Sequence, residues 1–180
     1  MLFRSNANAT TEVEWEHLIH LLEHRKGILD AVVFSGGEPL MQKGLAQAMD
    51  TVKAMGFEVG MHTGGYNPEA LRNVIDKVMW IGFDIKAPFE EAHYKRATGG
   101  IAQVEKVKES LGILLASGVH FECRTTVIRV FCLLRIFIKL LTTFRHLELR
   151  SIICRNIGQF RAIKLLPTAN AKNFSAMKNY

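Results

Sequence analysis

The stretch Val32-Val33-Phe34-Ser35-Gly36-Gly37-Glu38-Pro39-Leu40 passes abruptly from an apolar, β-branched run to two glycines, a carboxylate and a proline. The run predicts a short strand, and the glycines predict a turn whose backbone can take positive φ and lets a ligand approach closely. Glu38 then follows the carboxyl end of a strand, which is where α/β proteins bind ligands. The simpler alternative is a tight strand-to-helix turn that carries a solvated glutamate.

The same alternation of strand and helix continues as far as residue 127. Strands are predicted at 31–35, 57–61, 79–83 and 119–127, with amphipathic helices between them. The apolar helix positions are Leu45, Ala48, Met49 and Val52, then Leu71, Val74, Ile75 and Val78, then Val104, Val107, Leu111 and Leu114. Because the connections are short, the pattern predicts an α/β fold with parallel strands and right-handed βα units.

Two other segments carry weaker patterns. The capping-box sequence Thr11-x-x-Glu14 predicts the start of a first helix, and the polar residues 89–100 predict an irregular connection. His17, His20 and His24 share one face of the first helix, at a spacing that a metal site could use. A solvated polar face is the interpretation that we favour.

Polar or glycine-rich residues follow all four predicted strands. They are Gly36-Gly37-Glu38, His62-Thr63-Gly64, Asp84-Ile85-Lys86 and Arg124-Thr125-Thr126. Because chemistry in parallel βα folds is carried just past the strand ends, we expect these groups to surround a ligand. The alternatives are a solvated lysine for Lys86 and, for Arg124, a surface arginine paired with Glu122.

Charge is distributed unevenly along the 180 residues. Residues 1–126 hold 13 Lys and Arg against 16 Asp and Glu, a net charge of −3, whereas residues 127–180 hold 10 against a single acid, a net charge of +9. The overall charge of +6 therefore says little about the predicted α/β part, and nucleic-acid binding is not inferred from it. The N-terminus does not resemble a signal peptide, so the predicted location is the cytoplasm.

Residues 128–180 lose the turn residues that punctuate the first part. Their apolar run is interrupted by Arg129, Arg135 and Lys139, so a membrane span is not predicted. A basic helix at a membrane surface is an alternative. We predict a domain over residues 1–127 and a basic, apolar tail over 128–180, whose sequence reflects a reading-frame change or a divergent terminus.

Several motifs together resemble one known family. In chain order they are FSGGEPLMQ at 34–42, HTGG at 62–65, WIGFDIKAP at 80–88, YKRATGG at 94–100 and FECRTTV at 121–127. This order resembles radical S-adenosylmethionine proteins, most of all the activating proteins of anaerobic ribonucleoside-triphosphate reductase, which are similar to pyruvate formate-lyase activating enzyme. The resemblance implies a partial (β/α) barrel of parallel strands, from which the family's first strand and cluster loop are missing.

The resemblance also implies a set of binding residues for S-adenosylmethionine. The turn formed by Gly36, Gly37, Glu38 and Pro39 corresponds to the one that receives the methionyl ammonium. Thr63 corresponds to a position near the ligand's carboxylate, where a hydroxyl can donate. Asp84, Lys86 and Arg124 correspond to strand-end residues that approach the ligand. His62 stands where the activating enzymes have an aspartate that helps to hold a monovalent cation, so no cation site is predicted.

The family's reaction is the reductive cleavage of S-adenosylmethionine at a 4Fe–4S cluster, which gives a 5′-deoxyadenosyl radical. In activating enzymes this radical abstracts a hydrogen from a glycine of the partner reductase. The implied partners are therefore a glycyl-radical enzyme, here an anaerobic ribonucleotide reductase, and an electron donor such as flavodoxin or ferredoxin.

The cysteines depart from this family pattern. The cluster is held by a C-x-x-x-C-x-x-C loop, but this chain has no cysteine before Cys123, and Cys132 and Cys154 are too widely spaced to imitate the loop. We therefore expect that Met1 falls inside the native domain and that the chain as written is an inactive fragment. The alternatives are a non-catalytic module that binds S-adenosylmethionine or docks a protein, and a different (β/α) enzyme for a phosphate or sugar ligand.

Overall fold

The computed structural model describes residues 2–3, 13–127, 151–156 and 159–164, and every structural statement below concerns these residues. The helices are α1 Trp15–Glu23, α2 Leu45–Ala54, α3 Pro68–Arg72, α4 Glu91–Thr98 and α5 Val104–Ser117. The strands are β1 Leu2–Phe3, β2 Val13–Glu14, β3 Ala31–Phe34, β4 Glu58–Thr63, β5 Trp80–Asp84, β6 His120–Val127, β7 Ser151–Asn156 and β8 Gln159–Lys164. Single 3₁₀ turns lie at Pro39–Met41 and Ile75–Lys77.

The chain divides into two compact units, Met1–Phe121 and Glu122–Tyr180. In the first unit β3, β4 and β5 are neighbouring parallel strands, and helices lie between them along the chain. In the second unit β6 pairs in parallel with β7, and β7 pairs antiparallel with β8. Parallel strands that alternate with helices confirm the predicted α/β fold.

One face of the first unit's sheet forms the core together with the helices. Met61 lies opposite Ile81 in the strand register, and both side chains are fully buried. The predicted apolar positions of α2 and α5 are all buried as well. Since burial of a side chain of this size is worth roughly 1.5–3 kcal/mol, this face is the main source of the unit's stability.

The opposite face of the same strands combines glycines with the large ring of Trp80. Gly60 lies in its middle, and a Cβ built there would be 3.3 Å from both Trp80 and Val33. His62 makes an edge-to-face contact with the Trp80 ring at a centroid distance of 5.1 Å. Trp80 and Val33 therefore close over Gly60, while His62 and Asp84 lie nearer the carboxyl ends of the strands.

The structure corrects three sequence predictions. Glu14, predicted to lie in the first turn of a helix, pairs in β2 and directly precedes α1, which begins at Trp15; Thr11, the other residue of the predicted capping box, lies outside the described residues. The helix face predicted from Leu71 to Val78 is not continuous, because α3 ends at Arg72 and a 3₁₀ turn follows at Ile75–Lys77. Residues 89–100, predicted to be irregular, contain α4. This short helix was missed because Tyr94 is its only buried side chain, and it ends at Gly99, whose φ of 64° is typical of a helix C-cap.

The predicted tail lies mostly outside the described residues. Only β7 and β8 are described there, so the boundary at residue 127 and the membrane-surface helix stay predictions. Among the helices that the structure does describe, none combines the length and the apolar character needed to cross a lipid bilayer.

Candidate active-site mouth at the strand ends

The turn after β3 leaves its backbone open. Gly36 and Gly37 have φ values of 89° and 54°, a region that favours glycine, and both residues are exposed. A Cβ built on Gly37 would meet no atom within 4 Å. Pro39 then begins a 3₁₀ turn, and Leu40, only 2% exposed, anchors the turn in the core. The glycines thus present bare backbone to any ligand at this edge of the sheet.

Glu38 turns its carboxylate toward the end of the neighbouring strand. Its Oε1 accepts a hydrogen bond from the Thr63 hydroxyl at 2.5 Å and from the Leu40 amide at 3.2 Å. Its Oε2 accepts from the Gly64 amide at 2.8 Å. Glu38 therefore joins the ends of β3 and β4. The alternative of a solvated glutamate does not fit this bonding. Two carboxylate oxygens offer about four acceptor positions, so room for one further donor remains.

Burial raises the pKa of Glu38 above its ordinary value. The hydrogen bonds from Thr63, Gly64 and Leu40 and the positive charge of Lys86 act in the opposite direction, but desolvation is the larger effect. The carboxylate is therefore bound by its neighbours and at the same time costly to keep charged.

This raised pKa predicts a pH dependence of stability. A carboxyl group with a higher pKa in the folded than in the unfolded state binds more protons when folded, so its contribution to stability grows as the pH falls through that range. The free energy of unfolding of the wild type minus that of Glu38→Gln should therefore become more positive from pH 7 toward pH 4.5, as measured by urea denaturation. A value that becomes more negative on acidification would contradict this prediction.

The residues at or directly after the ends of β3, β4 and β5, at 36–38, 63–66 and 84–86, are called the strand-end mouth below. The turn with Glu38 is its first wall, and Thr63 with the glycines after it is the second. Thr63 is 2% exposed, and its hydroxyl also accepts a hydrogen bond from the Gly65 amide at 2.9 Å. Gly65 has a φ of 71° and lies so close to the buried Phe83 ring that no side chain fits there. Asn67 then caps α3 by accepting from the Ala70 amide at 3.1 Å, as the Asn67-Pro68 pair predicts.

Asp84 and Lys86 form the third wall. Lys86 Nζ lies 2.9 Å from Asp84 Oδ2, and both side chains are partly exposed. The Lys86 amide donates to the Tyr94 hydroxyl at 3.3 Å, and Tyr94 is fully buried on α4. The helix that the sequence pattern did not reveal therefore holds the loop after β5 in place.

Tyr66 is a residue of this mouth that was not predicted from the sequence. Its ring lies over Gly64, where a Cβ would come within 2.4 Å of the ring's Cε1. The phenol is half-buried, and desolvation together with the charges of Glu38 and Asp84 raises its pKa. The available signal was an aromatic residue directly after a glycine pair at a strand end.

Arg124 belongs to the second unit. It lies on β6 and is 5% exposed, so the alternative of a surface arginine is wrong. The structure thus brings Glu38 and Thr63 into contact and pairs Asp84 with Lys86, and the ligand role of all these residues stays a prediction.

His20 and His24, at the end of α1, contact each other. His20 and His24 have ring centroids 4.4 Å apart, and the His24 Nδ1 lies 2.8 Å from the His20 carbonyl oxygen. Over the part of the chain that the structure describes, no group of three or more His, Cys, Asp or Glu residues could hold a metal ion.

Comparison with known proteins decides the family. The family model of the radical SAM superfamily matches residues 3–133, which is more than half of the chain. The chain belongs to the radical SAM superfamily. The open strand-end mouth described above accordingly lies where this superfamily's fold brings the carboxyl ends of its strands together.

The radical SAM chain is similar to a curated relative and to several solved structures. A protein of Methanocaldococcus jannaschii, named by inference as a glycyl-radical enzyme activating enzyme, is 28% identical across 61% of this chain and 53% of its own length. The structure of anSMEcpe with bound AdoMet matches 86% of this chain and 45% of that one, with a TM-score of 0.66 and 14% identity. Streptococcus suis SuiB bound to its precursor peptide matches 85% and 35%, with a TM-score of 0.62 and 11% identity.

These comparisons support the radical SAM fold, and they cover only part of each similar protein. The chain spans about half the length of the relative from Methanocaldococcus jannaschii. The solved structures are all under 25% identical to it, so their likeness concerns the fold alone.

Proposed function

We propose that this chain is the S-adenosylmethionine-binding part of a glycyl-radical enzyme activating enzyme. The observation that supports this proposal is that Glu38, which follows the glycine turn after β3, is hydrogen-bonded to Thr63 at the end of β4 and to Gly64 directly after it. The relative named as a glycyl-radical enzyme activating enzyme supports the same class. The fully open backbone at Gly37 supports the close approach of a ligand at this point.

The residues of the mouth fit S-adenosylmethionine. The exposed backbone of Gly36 and Gly37 and the remaining acceptor positions of Glu38 suit the ligand's ammonium group. Lys86 offers positive charge for its carboxylate, while the role that the family resemblance implies for Arg124, a residue of the second unit, stays a prediction. When bound, S-adenosylmethionine supplies the 5′-deoxyadenosyl group that the family uses as a radical source. The chain's own residues bind this molecule, orient it and exclude water from it.

The same proposal names a partner. We propose an anaerobic ribonucleoside-triphosphate reductase as the glycyl-radical enzyme, with flavodoxin or ferredoxin as the electron donor. Isothermal calorimetry of the purified chain with that reductase should give saturable binding, while pyruvate formate-lyase, the matched control, should bind at least tenfold more weakly. Equal binding, or stronger binding to pyruvate formate-lyase, would contradict the choice of reductase but not the activating-enzyme class.

The 4Fe–4S cluster does not fit the residues of this chain. No cysteine precedes Cys123, and Cys123 is 1% exposed on β6. Burial, with a smaller effect of the Glu122 charge, raises the pKa of the Cys123 thiol to about 12, whereas iron is bound by thiolates. Because the thiolates that would bind the iron are not in place, the residues of this chain do not support the radical step.

Anaerobic reconstitution with iron and sulfide should leave this chain without a bound cluster. After desalting, iron analysis should find less than one iron per chain, and the Cys123→Ser variant should give the same value. A brown product with about four irons per chain, lost in Cys123→Ser, would overturn this prediction.

The cysteine content favours a second candidate function. A module that binds S-adenosylmethionine without cleaving it needs the strand-end mouth but not the cluster. Calorimetry would then detect ligand binding in the iron-free protein, and no 5′-deoxyadenosine would form when the reductant dithionite is added. Formation of 5′-deoxyadenosine would exclude this candidate.

A further inference from the structure

A ligand with an α-amino acid end brings two opposite charges to the mouth. Its ammonium is suited to the carboxylates of Glu38 and Asp84, but its carboxylate needs a hydrogen-bond donor close to these acidic groups. Thr63 is the position predicted to donate. A hydroxyl has one proton, however, and that of Thr63 is already donated to Glu38 Oε1 at 2.5 Å.

Tyr66 brings a second hydroxyl close to Gly64, the residue that follows Thr63. Its ring atoms Cε1 and Cζ come within 2.4 and 2.8 Å of a Cβ built on Gly64, and its hydroxyl oxygen within 3.1 Å. The Gly64 amide donates to Glu38, so the phenol lies beside the same carboxylate. In residues 13–125, the hydrogen bonds of this mouth engage Glu38, Thr63 and the glycine amides, and none involves the Tyr66 hydroxyl.

The charges of two acidic groups, Glu38 and Asp84, act on the Tyr66 phenol. Thr63, the last residue of β4, lies opposite Phe83, so Asp84 at the end of β5 and Gly64 directly after β4 are the next residues along the two strands. A phenol is protonated at neutral pH at its ordinary pKa, and burial together with the charges of Glu38 and Asp84 raises the pKa of Tyr66 further. A neutral phenol is a hydrogen-bond donor, which the two carboxylates are not.

We propose that the Tyr66 hydroxyl donates a hydrogen bond to the carboxylate of the ligand's amino acid end, with Lys86 as a second donor. The inference rests on the proposed function, because it assigns one atom of that ligand to one residue of the chain. Gly64 is part of the same arrangement, since any side chain there would displace the Tyr66 ring. Tyr66 is thus a specificity residue for ligands that carry a carboxylate.

The test compares two ligands that differ only in this group. Calorimetry is carried out on the full chain with S-adenosylmethionine and with its decarboxylated analogue, S-adenosylmethioninamine, for the wild type and Tyr66→Phe. Loss of a hydrogen bond to a charged group should weaken S-adenosylmethionine binding roughly tenfold or more. The decarboxylated analogue should bind the two proteins with affinities that agree within about twofold, because it lacks the acceptor.

Thr51→Val is the matched control. The Thr51 hydroxyl donates to the Gln47 carbonyl oxygen within α2, so its removal deletes a hydroxyl that has no part in the strand-end residues and should leave the affinity for both ligands unchanged. If Tyr66→Phe weakens both ligands equally, or neither, Tyr66 has no role toward the carboxylate and the inference fails while the proposed function stands. If the wild type binds neither ligand, the proposed function fails, and the inference fails with it.

Discussion

Replacing Glu38 with alanine is expected to lower the free energy of unfolding by about 2–4 kcal/mol and to abolish S-adenosylmethionine binding. The change removes the acceptor of the Thr63 hydroxyl and of the Gly64 and Leu40 amides at once. Thr63 is 2% exposed, so water cannot readily replace the lost partner there. The two strand ends would then no longer be joined, and the ligand would lose both its acidic partner and the arrangement of the turn.

Urea denaturation measures the stability change, and calorimetry well below the unfolding midpoint measures binding. Glu58→Ala is the matched control, because Glu58 is an exposed glutamate at the opposite end of β4. It should leave ligand affinity unchanged and alter stability by no more than about 0.5 kcal/mol. Wild-type affinity in folded Glu38→Ala protein would show that Glu38 has no part in the ligand site.

Gly65→Ala should be the more damaging change to the fold, with a loss of about 3 kcal/mol or more. Gly65 has a φ of 71°, which costs energy for any residue with a Cβ. That Cβ would also lie 2.6 Å from Phe83 Cζ and 2.9 Å from Ser110 Cβ. Phe83 and Ser110 are both fully buried, so neither can move aside without opening the core.

A thermal melt followed by circular dichroism would detect this loss. Gly112→Ala is the contrasting variant, because Gly112 lies inside α5 with open space around its Cβ position. It should stabilise the protein by roughly 0.5–1 kcal/mol, since alanine is the better helix former. Equal melting temperatures for Gly65→Ala and the wild type would show that the loop after β4 adapts to a side chain.

The main features of the first unit could be predicted from the sequence because they follow from periodicity and local stereochemistry. The apolar spacing of Leu45, Ala48, Met49 and Val52 predicted a helix face that the structure buries in full. Asn67-Pro68 predicted a helix start with the observed capping bond. Placement of polar groups after successive strands predicted that Glu38 and Thr63 would approach each other, and they are in contact.

Other features depend on contacts between distant residues, which local sequence does not encode. α4 is anchored by the burial of one side chain, Tyr94, whose hydroxyl accepts a hydrogen bond from the Lys86 amide in the loop after β5. The orientation of Glu38 toward β4 depends on an amide 26 positions away. Tyr66 belongs to the mouth only because Gly64 leaves space for its ring, and a glycine pair by itself predicts a turn and no more.

The bonds that Glu38 makes to β4 also bear on the entropy of association. The glycine turn, the end of β4 and the start of α3 are tied into one arrangement by bonds within the protein, through Glu38, Thr63 and Asn67. Ordering of these segments is completed during folding, so little of it has to be repeated when a ligand binds. The strand-end mouth can therefore bind the small, flexible amino acid end of a ligand with little loss of conformational entropy in the protein.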